Sequence, residues 1–234
     1  MQRILLPNTG FSEILEISEK DLYHQLTRVL RARVDQKVIF FDWKTLDDHL
    51  YVMVHINKNT VTFRKERTID KSSEISHDLI LYQAFPNKLS KLEYIVQKCS
   101  EIGYKKIVFF ESERSQKFVL SESKKDRLQK IATEAIEQCY GNIVPSIEYI
   151  ESLAELEWQT ILCHTEEKDS ISLNSLHLKD ILNIIVWPEW WFSDREVQEF
   201  KSIWIQKVFF WNRILRCETV WEVVWFYVSQ KKES

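Results

Sequence analysis

The sequence contains very little glycine. Only 3 of its 234 residues are glycine, whereas average usage of about 7% predicts roughly 16 in a chain of this length. Glycine reaches left-handed backbone conformations without strain and lets a ligand approach the main chain closely. With so little glycine, the chain either has few glycine-built turns and ligand-binding loops or has another residue type at the positions where glycine is usual.

Patterns typical of metal sites and membrane spans are also missing. The six histidines form no HxxxH or HExxH pair, and the four cysteines are scattered without paired spacing, so no metal site is predicted. No run approaches the ~18 apolar residues of a membrane span. The amino terminus lacks the apolar core of a signal peptide. We therefore expect a cytoplasmic protein that binds neither metal nor membrane.

The charge balance argues against a general nucleic-acid binder. The net charge is −3, so any contact with RNA has to come from local basic patches. One patch lies in a predicted helix over residues 18–33, capped by Ser18, where Arg28 and Arg31 share the side opposite the apolar stripe and Arg33 follows. A solvated helix face explains the same pattern, so both interpretations stay open.

The pattern of predicted secondary-structure elements changes near residue 78. Residues 1–70 combine that helix with short β-branched and aromatic runs, a pattern typical of a small barrel, and residues 71–77 form a polar linker. Residues 78–234 alternate strands and helices, which predicts an α/β domain with a largely parallel sheet. Gly103 and Gly141 are expected to end two of its helices. Ser193 and Glu196 have the spacing of a capping box.

Tryptophan is as abundant as glycine is rare. The chain has 9 tryptophans, three of them in "VWPEWWFSDRE", directly after the predicted strand "ILNIIV". The segment "WNRILRCET" follows the next predicted strand. Loops at the carboxyl ends of parallel strands are where α/β proteins place ligands, so these two loops are expected to form two walls of one pocket. A third loop, "ESERSQK", contains Glu113 and Arg114 and is either a binding loop or an ordinary surface turn.

Several segments together resemble one known family. "HQLTRVLRAR", "VQKCSEIGYKKIVFFESERSQ", "EAIEQCYGNIVP", "PEWWFSDRE" and "NRILRCET" follow the order and spacing of the ribosomal RNA small subunit methyltransferase E family, within the SPOUT superfamily. The resemblance covers residues 1 to about 229. It implies an N-terminal PUA-like β-barrel that helps to hold RNA and a C-terminal α/β knot domain, with a trefoil knot, that binds S-adenosyl-L-methionine. It also implies a homodimer that methylates N3 of a uridine in the 16S rRNA of the small ribosomal subunit.

The resemblance also implies roles for individual residues. Arg213 or Arg216 would stabilise negative charge on the base, and Glu218 would orient those side chains or the cofactor. Arg114 would join Arg28, Arg31 and Arg33 in contacting RNA. The residues implied for cofactor binding are Trp187, Pro188, Glu189, Trp190, Trp191, Phe210, Trp211, Asn212, Ile214, Leu215 and Thr219.

The chain departs from the family chiefly at tryptophan. The cofactor loops of the family have the motifs GPEGGFS and LGxRILRxETA, and this chain has tryptophan at each glycine of those motifs. Positions in turns and helices that are often glycine in the family are tryptophan here as well. Only Trp158 falls outside this pattern. The eight glycine-like positions are Trp43, Trp187, Trp190, Trp191, Trp204, Trp211, Trp221 and Trp225.

Two explanations of these tryptophans compete. If they are real, indole rings block the cofactor loops and the chain is a non-catalytic RNA-binding protein. Overpacking costs ~1–3 kcal/mol per site, however, and a set of such sites would use up a net stability of ~5–15 kcal/mol. The other explanation is that UGA codons, read as tryptophan in some bacterial codes and as glycine in others, mean glycine in this gene. The energetic cost favours the second explanation.

Overall fold

A computed structural model of the chain describes residues 1–43, 45–70, 74–115, 120–153, 156, 158–164, 170–187, 191–203, 205–209 and 214–231. The chain divides into two compact units. The first comprises residues 1–73 with 136–143, and the second comprises residues 74–135 with 144–234. Each unit has its own cluster of buried apolar side chains.

The first unit is built on a five-stranded sheet. Its strands are arranged in the order β1-β3-β4-β5-β2, with β1 parallel to β3 and the other pairs antiparallel. The three runs predicted as strands form β3, β4 and β5. Phe40, Tyr51 and Phe63 are fully buried between them in edge-to-face contact. The strands are β1 (Gln2–Leu5), β2 (Ile14–Ile17), β3 (Lys37–Phe41), β4 (Asp48–Ile56) and β5 (Val61–Ile69).

The helix of the first unit is shorter than predicted. Helix α1 covers Lys20–His24 and has Glu19, rather than Ser18, at its N-cap, so the prediction of Ser18 as the cap is wrong. A π-helical turn, Gln25–Val29, follows. The Leu30 N–H donates to a carbonyl five residues back, at 2.9 Å, and a π-turn of this kind ends the regular α-helical spacing. The predicted helix therefore does not continue to residue 33.

The second unit is an α/β structure with a seven-stranded parallel sheet, which confirms the predicted class. The strand order is β10-β12-β9-β11-β6-β7-β8. Two short strands, β8 and β10, were not predicted. The strands are β6 (Asp78–Ala84), β7 (Lys106–Phe110), β8 (Ser146–Ile150), β9 (Gln159–Cys163), β10 (Ile171–Ser172), β11 (Ile181–Val186) and β12 (Gln206–Phe209). The helices are α2 (Leu89–Glu101), α3 (Glu122–Cys139), α4 (Asp194–Ser202) and α5 (Cys217–Ser229), with a 3-10 turn at Leu173–Ser175.

Glycine was predicted to end two helices of the second unit, and the structure differs between the two. Gly103 follows α2 with φ +90°, as predicted for a glycine that ends a helix. After α3 the left-handed residue is Tyr140, with φ +65°, so the prediction that Gly141 ends this helix is wrong. Helix α3 ends one residue earlier than expected, and the left-handed position falls on the tyrosine.

Two further observations concern membranes and thiols. Within the described part of the chain, no helix is long and apolar enough to span a bilayer. Cys99 is fully buried on the apolar face of α2, and burial raises the pKa of its thiol well above the ordinary value. Cys139 is only half-buried. Cys99 therefore has the burial of a cysteine that packs in the core, and Cys139 has only part of it.

Candidate active site

The loop after β11 and the segment before α5 lie at the carboxyl edge of the parallel sheet. Parallel strands all end at the same edge, so chain segments that follow different strands meet there. Together they enclose a pocket of about 240 Å³. The structure thus brings together residues from both predicted walls. The pocket is lined by Lys91, Trp187, Trp191, Ile214, Leu215, Arg216 and Glu218.

Two tryptophan rings occupy the first wall. Trp187 and Trp191 stack with ring centroids 4.8 Å apart and an interplanar angle of 16°. Trp187 is 4% exposed, and the ring of His164 lies 6.5 Å from that of Trp191. Trp191 has φ +65°, in the left-handed region that only glycine enters without strain. The wall is therefore filled by side chains on a backbone that glycine would fit better.

Gln83, which sequence reasoning missed, supports the first wall from beneath. It is fully buried at the end of β6, and its side-chain N–H groups donate to the Trp187 carbonyl at 3.2 Å and the Ala84 carbonyl at 3.0 Å. Its carbonyl oxygen has no partner among the described residues. The bond to Trp187 joins positions 104 residues apart, so no local signal in the sequence points to it.

Charged groups of both signs line the second wall. The Lys91 ammonium lies 3.8 Å from the Glu218 carboxylate, and the thiol of Cys217 donates to the same carboxylate at 2.9 Å. Burial opposes the charged form of Glu218. The Cys217 thiol, the residue's own backbone N–H and the charges of Lys91 and Arg216 outweigh that effect and lower its pKa. Glu218 is thus held ionised between two cations, of which Lys91 was not predicted.

Of the other described residues predicted for the second wall, Ile214, Leu215 and Arg216 also line the pocket, and Thr219 lies in the first turn of α5. Arg216 is exposed and occupies the N-cap position of α5. The Thr219 N–H donates to the Arg216 carbonyl at 2.9 Å. Ile214 is 74% exposed, whereas Leu215 packs against the apolar core. The predicted residues that lie outside the described ones are Pro188, Glu189, Trp190, Phe210, Trp211, Asn212 and Arg213.

The loop after β7 is joined to the start of α4. The Glu113 N–H donates to the Glu196 carboxylate at 2.9 Å, and the Glu113 carboxylate pairs with Arg195. A hydrogen bond from Ser193, together with the charges of Arg195 and Arg114, outweighs desolvation and lowers the pKa of Glu113. The capping box is confirmed, since Ser193 and Glu196 each accept the other's backbone N–H. Arg114 is exposed on this loop.

The basic patch of the first unit is exposed but differs from its predicted geometry. Arg28 lies on the π-helical turn, and Arg31 lies beyond it with φ +49°. The two side chains therefore do not share one face of an α-helix, and that part of the prediction is wrong. Arg33 is exposed nearby, and its backbone N–H donates to Gln36 at 3.1 Å. All three arginines remain accessible to an anionic partner.

The site is built without a cluster of metal ligands in the described residues. No group of three or more His, Cys, Asp or Glu side chains within them is placed to hold a metal ion. The chemistry that these residues offer is that of two stacked tryptophans, two cations and an ionised carboxylate.

Comparison with known proteins assigns the family. Residues 73–225 match the profile of the RNA methyltransferase domain. The ribosomal RNA small subunit methyltransferase E of Buchnera aphidicola is 28% identical over 207 residues, which cover 84% of this chain and 80% of that protein. A second such protein, from Borreliella burgdorferi, is 24% identical over 226 residues, covering 93% of this chain and 92% of the relative.

Solved structures share the fold. A putative methyltransferase from Legionella pneumophila, in complex with the cofactor SAM, has a TM-score of 0.84 at 21% identity and covers 97% of this chain and 96% of its own. A ribosomal RNA small subunit methyltransferase E from Neisseria gonorrhoeae, bound to S-adenosyl methionine, has a TM-score of 0.83 at 22% identity, with 97% and 95% coverage. On the family profile and these relatives, the chain belongs to the RNA methyltransferase domain family, in its ribosomal RNA small subunit methyltransferase E branch.

Proposed function

We propose that the chain transfers a methyl group from S-adenosyl-L-methionine to N3 of a uridine in the 16S rRNA of the small ribosomal subunit. Family membership supports this function, as do the names of its relatives. Two proteins with the same fold hold this cofactor. The observation that carries the proposal is the pocket at the carboxyl edge of the sheet, where the two loops implied for the cofactor meet around Arg216 and Glu218.

The pocket fits the cofactor in chemistry but is tight in volume. S-adenosylmethionine presents a carboxylate, a ribose and an adenine, for which the pocket offers two cations and the apolar side chains of Ile214 and Leu215. Ligand pockets generally measure ~300–1,000 Å³, whereas this one measures about 240 Å³. The stacked rings of Trp187 and Trp191 line this small pocket. With glycine at those two positions, the residues present would hold the cofactor.

Each charged side chain then has a role in the transfer. When bound, the cofactor would supply an electrophilic methyl group, and the uracil N3 would have to lose its proton to solvent water in order to accept it. Arg216 would stabilise the negative charge that develops on the base, because a cation that is already in place does so at little cost of reorganisation. Lys91 would then be the cation available to the cofactor carboxylate. Glu218 would hold Lys91 through their ion pair. Arg213 would add a further cation from outside the described residues.

The rest of the proposed organisation follows the family. Residues 1–70 would form a PUA-like β-barrel that holds RNA through Arg28, Arg31 and Arg33, and residues 71–77 would be a linker. Residues 78–234 would form the SPOUT domain with a trefoil knot, with Arg114 contacting RNA. The working unit would be a homodimer acting in the cytoplasm on the small subunit. The antiparallel strands of the first unit and its exposed arginines support the part of this proposal in which that unit holds RNA.

A second candidate function follows from the tryptophans as they stand. The stacked pair reduces the pocket below the usual ligand size. A chain with these rings would bind RNA through its arginines without binding the cofactor. It would then be a non-catalytic RNA-binding protein.

Calorimetry distinguishes the two functions. We would titrate S-adenosyl-L-methionine into the full chain, and into a variant with glycine at Trp187, Trp190, Trp191 and Trp211. The proposed enzyme predicts saturable heat for the glycine variant and much weaker heat for the tryptophan form. Absence of heat from both at millimolar cofactor would remove the methyltransferase proposal and leave the RNA-binding function.

A further inference from the structure

The backbone at two tryptophans has a conformation suited to glycine. Trp158 has φ +75° and Trp191 has φ +65°. Positive φ is uncommon for any residue other than glycine, and for a bulky side chain it is an outlier. Trp158 is the one tryptophan that lies outside the family's glycine positions, so its conformation is independent evidence.

Burial of the ring does not offset the strain at Trp158. The residue directly precedes β9 and is 62% exposed. A tryptophan normally stabilises a protein by burying its large ring, and an indole N–H that is buried usually finds a partner. Here most of the ring lies in solvent. The position therefore bears the strain of a left-handed residue without the benefit of a buried aromatic.

Two further tryptophans are poorly satisfied in a different way. In helix α5 the indole N–H groups of Trp221 and Trp225 are both buried without a hydrogen-bond partner among the described residues. Buried polar groups are nearly always paired in proteins. The described tryptophans thus show two kinds of misfit: a left-handed backbone at Trp158 and Trp191, and a buried indole N–H without a partner among the described residues at Trp221 and Trp225.

We propose that all nine tryptophan positions, Trp158 included, are glycine in the protein as its host makes it, because the UGA codons of the gene are read there as glycine. A single change of codon meaning accounts for every misfit at once. It also accounts for the composition, since nine added to the three existing glycines brings the count close to the roughly 16 expected. The proposal does not depend on the methyltransferase function.

Peptide mass spectrometry on the protein purified from its host tests this directly. The peptide that contains position 158 is decisive, because the family pattern makes no prediction there. We expect glycine at position 158, at every other tryptophan position, and a UGA codon at each in the gene. Tryptophan at position 158 with glycine elsewhere would overturn the inclusion of this residue, and a UGG codon at these positions would overturn the proposal as a whole.

A second inference concerns Glu196, from a separate observation. This side chain is only 8% exposed, and its two oxygens accept from different loops: the Ser193 N–H at 2.7 Å and the Glu113 N–H at 2.9 Å. Ser193 belongs to the segment that follows the first wall of the pocket, and Glu113 precedes Arg114 on the loop after β7. One carboxylate thus connects the two loops.

Apolar contacts hold the same two segments together. Phe192, beside Ser193, stacks on Phe110 at the end of β7, with ring centroids 6.1 Å apart. Phe192 also packs edge-to-face against Phe200 of α4 at 5.0 Å. The aromatic contacts fix the distance between the segments, and the carboxylate of Glu196 fixes the orientation of their backbones, since hydrogen bonds are directional.

We infer that Glu196 is a positioning residue that aligns the loop over 112–115 with residues 191–193, which follow the first wall of the pocket. The functional consequence rests on the proposed function: RNA held near Arg114 would be correctly placed relative to the methyl donor. The structural part of the inference stands without that function. A glutamine at position 196 retains one accepting oxygen and presents an N–H group to the second donor, so one of the two loops is no longer connected.

Hydrogen exchange tests the structural part in the full chain. Glu196→Gln should raise amide exchange about tenfold or more at residues 112–115 or 191–193, because the variant cannot make the charge-assisted hydrogen bond to that segment. Gln198→Ala, at an exposed position on the same helix, is the control and should change neither segment. Unchanged exchange in the Glu196 variant would overturn the inference.

Kinetics then test the consequence. In the glycine form, Glu196→Gln should raise KM for RNA about tenfold, with a smaller effect on kcat, and Glu196→Asp should recover part of the loss. An equal fall in kcat with KM unchanged would show that Glu196 does not align the loops. If the parent chain neither binds nor uses the cofactor, the proposed function fails, while the exchange result still decides the inference.

Discussion

Replacing Trp191 by glycine and by alanine should give an unusual order of stability. A left-handed conformation costs a residue other than glycine roughly 1–2 kcal/mol, and Trp191 has φ +65°. Alanine removes the ring and keeps the strain, whereas glycine removes both. Glycine ordinarily loses about 0.5–1 kcal/mol to alanine through its greater freedom when unfolded. Trp191→Gly should therefore be more stable than Trp191→Ala by about 0.5–1 kcal/mol.

Thermal and urea denaturation would measure this difference. For a chain of this size 1 kcal/mol moves Tm by about 2–4 °C, so the two Trp191 variants should differ by a few degrees. Trp43 is the control, because it is exposed and is not among the residues with positive φ. At that position alanine should be the more stable variant. If alanine is also the more stable at position 191, the backbone argument for glycine there is wrong.

Three further predictions follow from charged side chains. Arg28→Gln with Arg31→Gln should weaken RNA binding and reduce the slope of log affinity against log salt by about one for each phosphate that the variant no longer neutralises, and an unchanged slope in a filter-binding titration would assign both to a solvated surface. The lowered pKa of Glu218 means that its ionised form stabilises the fold above about pH 4.5 and that this contribution is lost as the pH falls through the folded-state pKa. Glu218→Gln should then lower the free energy of unfolding more at pH 7 than at pH 3, and equal losses at both values would contradict this reasoning. Arg3 pairs with Asp48 at 2.9 Å in the buried part of the first unit, so Arg3→Met should cost about 3–5 kcal/mol by leaving a buried charge alone, and adding Asp48→Leu should recover most of that loss in urea denaturation.

The sequence predicts those parts of the fold that depend on local patterns. The alternation of apolar strands and amphipathic helices predicts most of the second unit, and the spacing of Ser193 and Glu196 predicts a capping box that the structure contains. Ser18 fails as a cap because Glu19 occupies that position. Gly141 fails as a helix end because α3 ends one residue early. Such boundaries depend on which hydrogen bonds the last turn makes, and local composition does not determine them.

The candidate site is less predictable for a physical reason. The loops around Trp187 and Arg216 stand out by their unusual residues and by the strands before them. Lys91 and Gln83 do not, because each reaches the site from an element more than 100 residues away in the chain. Gln83 reaches Trp187 because the parallel sheet places β6 beside β11, and Lys91 reaches Glu218 from helix α2, which follows β6. Contacts of this kind have no periodic signature in one sequence.

The most direct test of the function is a methylation assay on the RNA itself. Small ribosomal subunits that lack N3-methyluridine in their 16S rRNA would be incubated with S-adenosyl-L-methionine and the full chain carrying glycine at its nine tryptophan positions. Digestion and mass spectrometry would then locate any new methyl group. The account predicts one N3-methyluridine in the 16S rRNA, and none when Trp187 and Trp191 are retained. Absence of transfer by the glycine form, or a methyl group on another atom or another RNA, would contradict it.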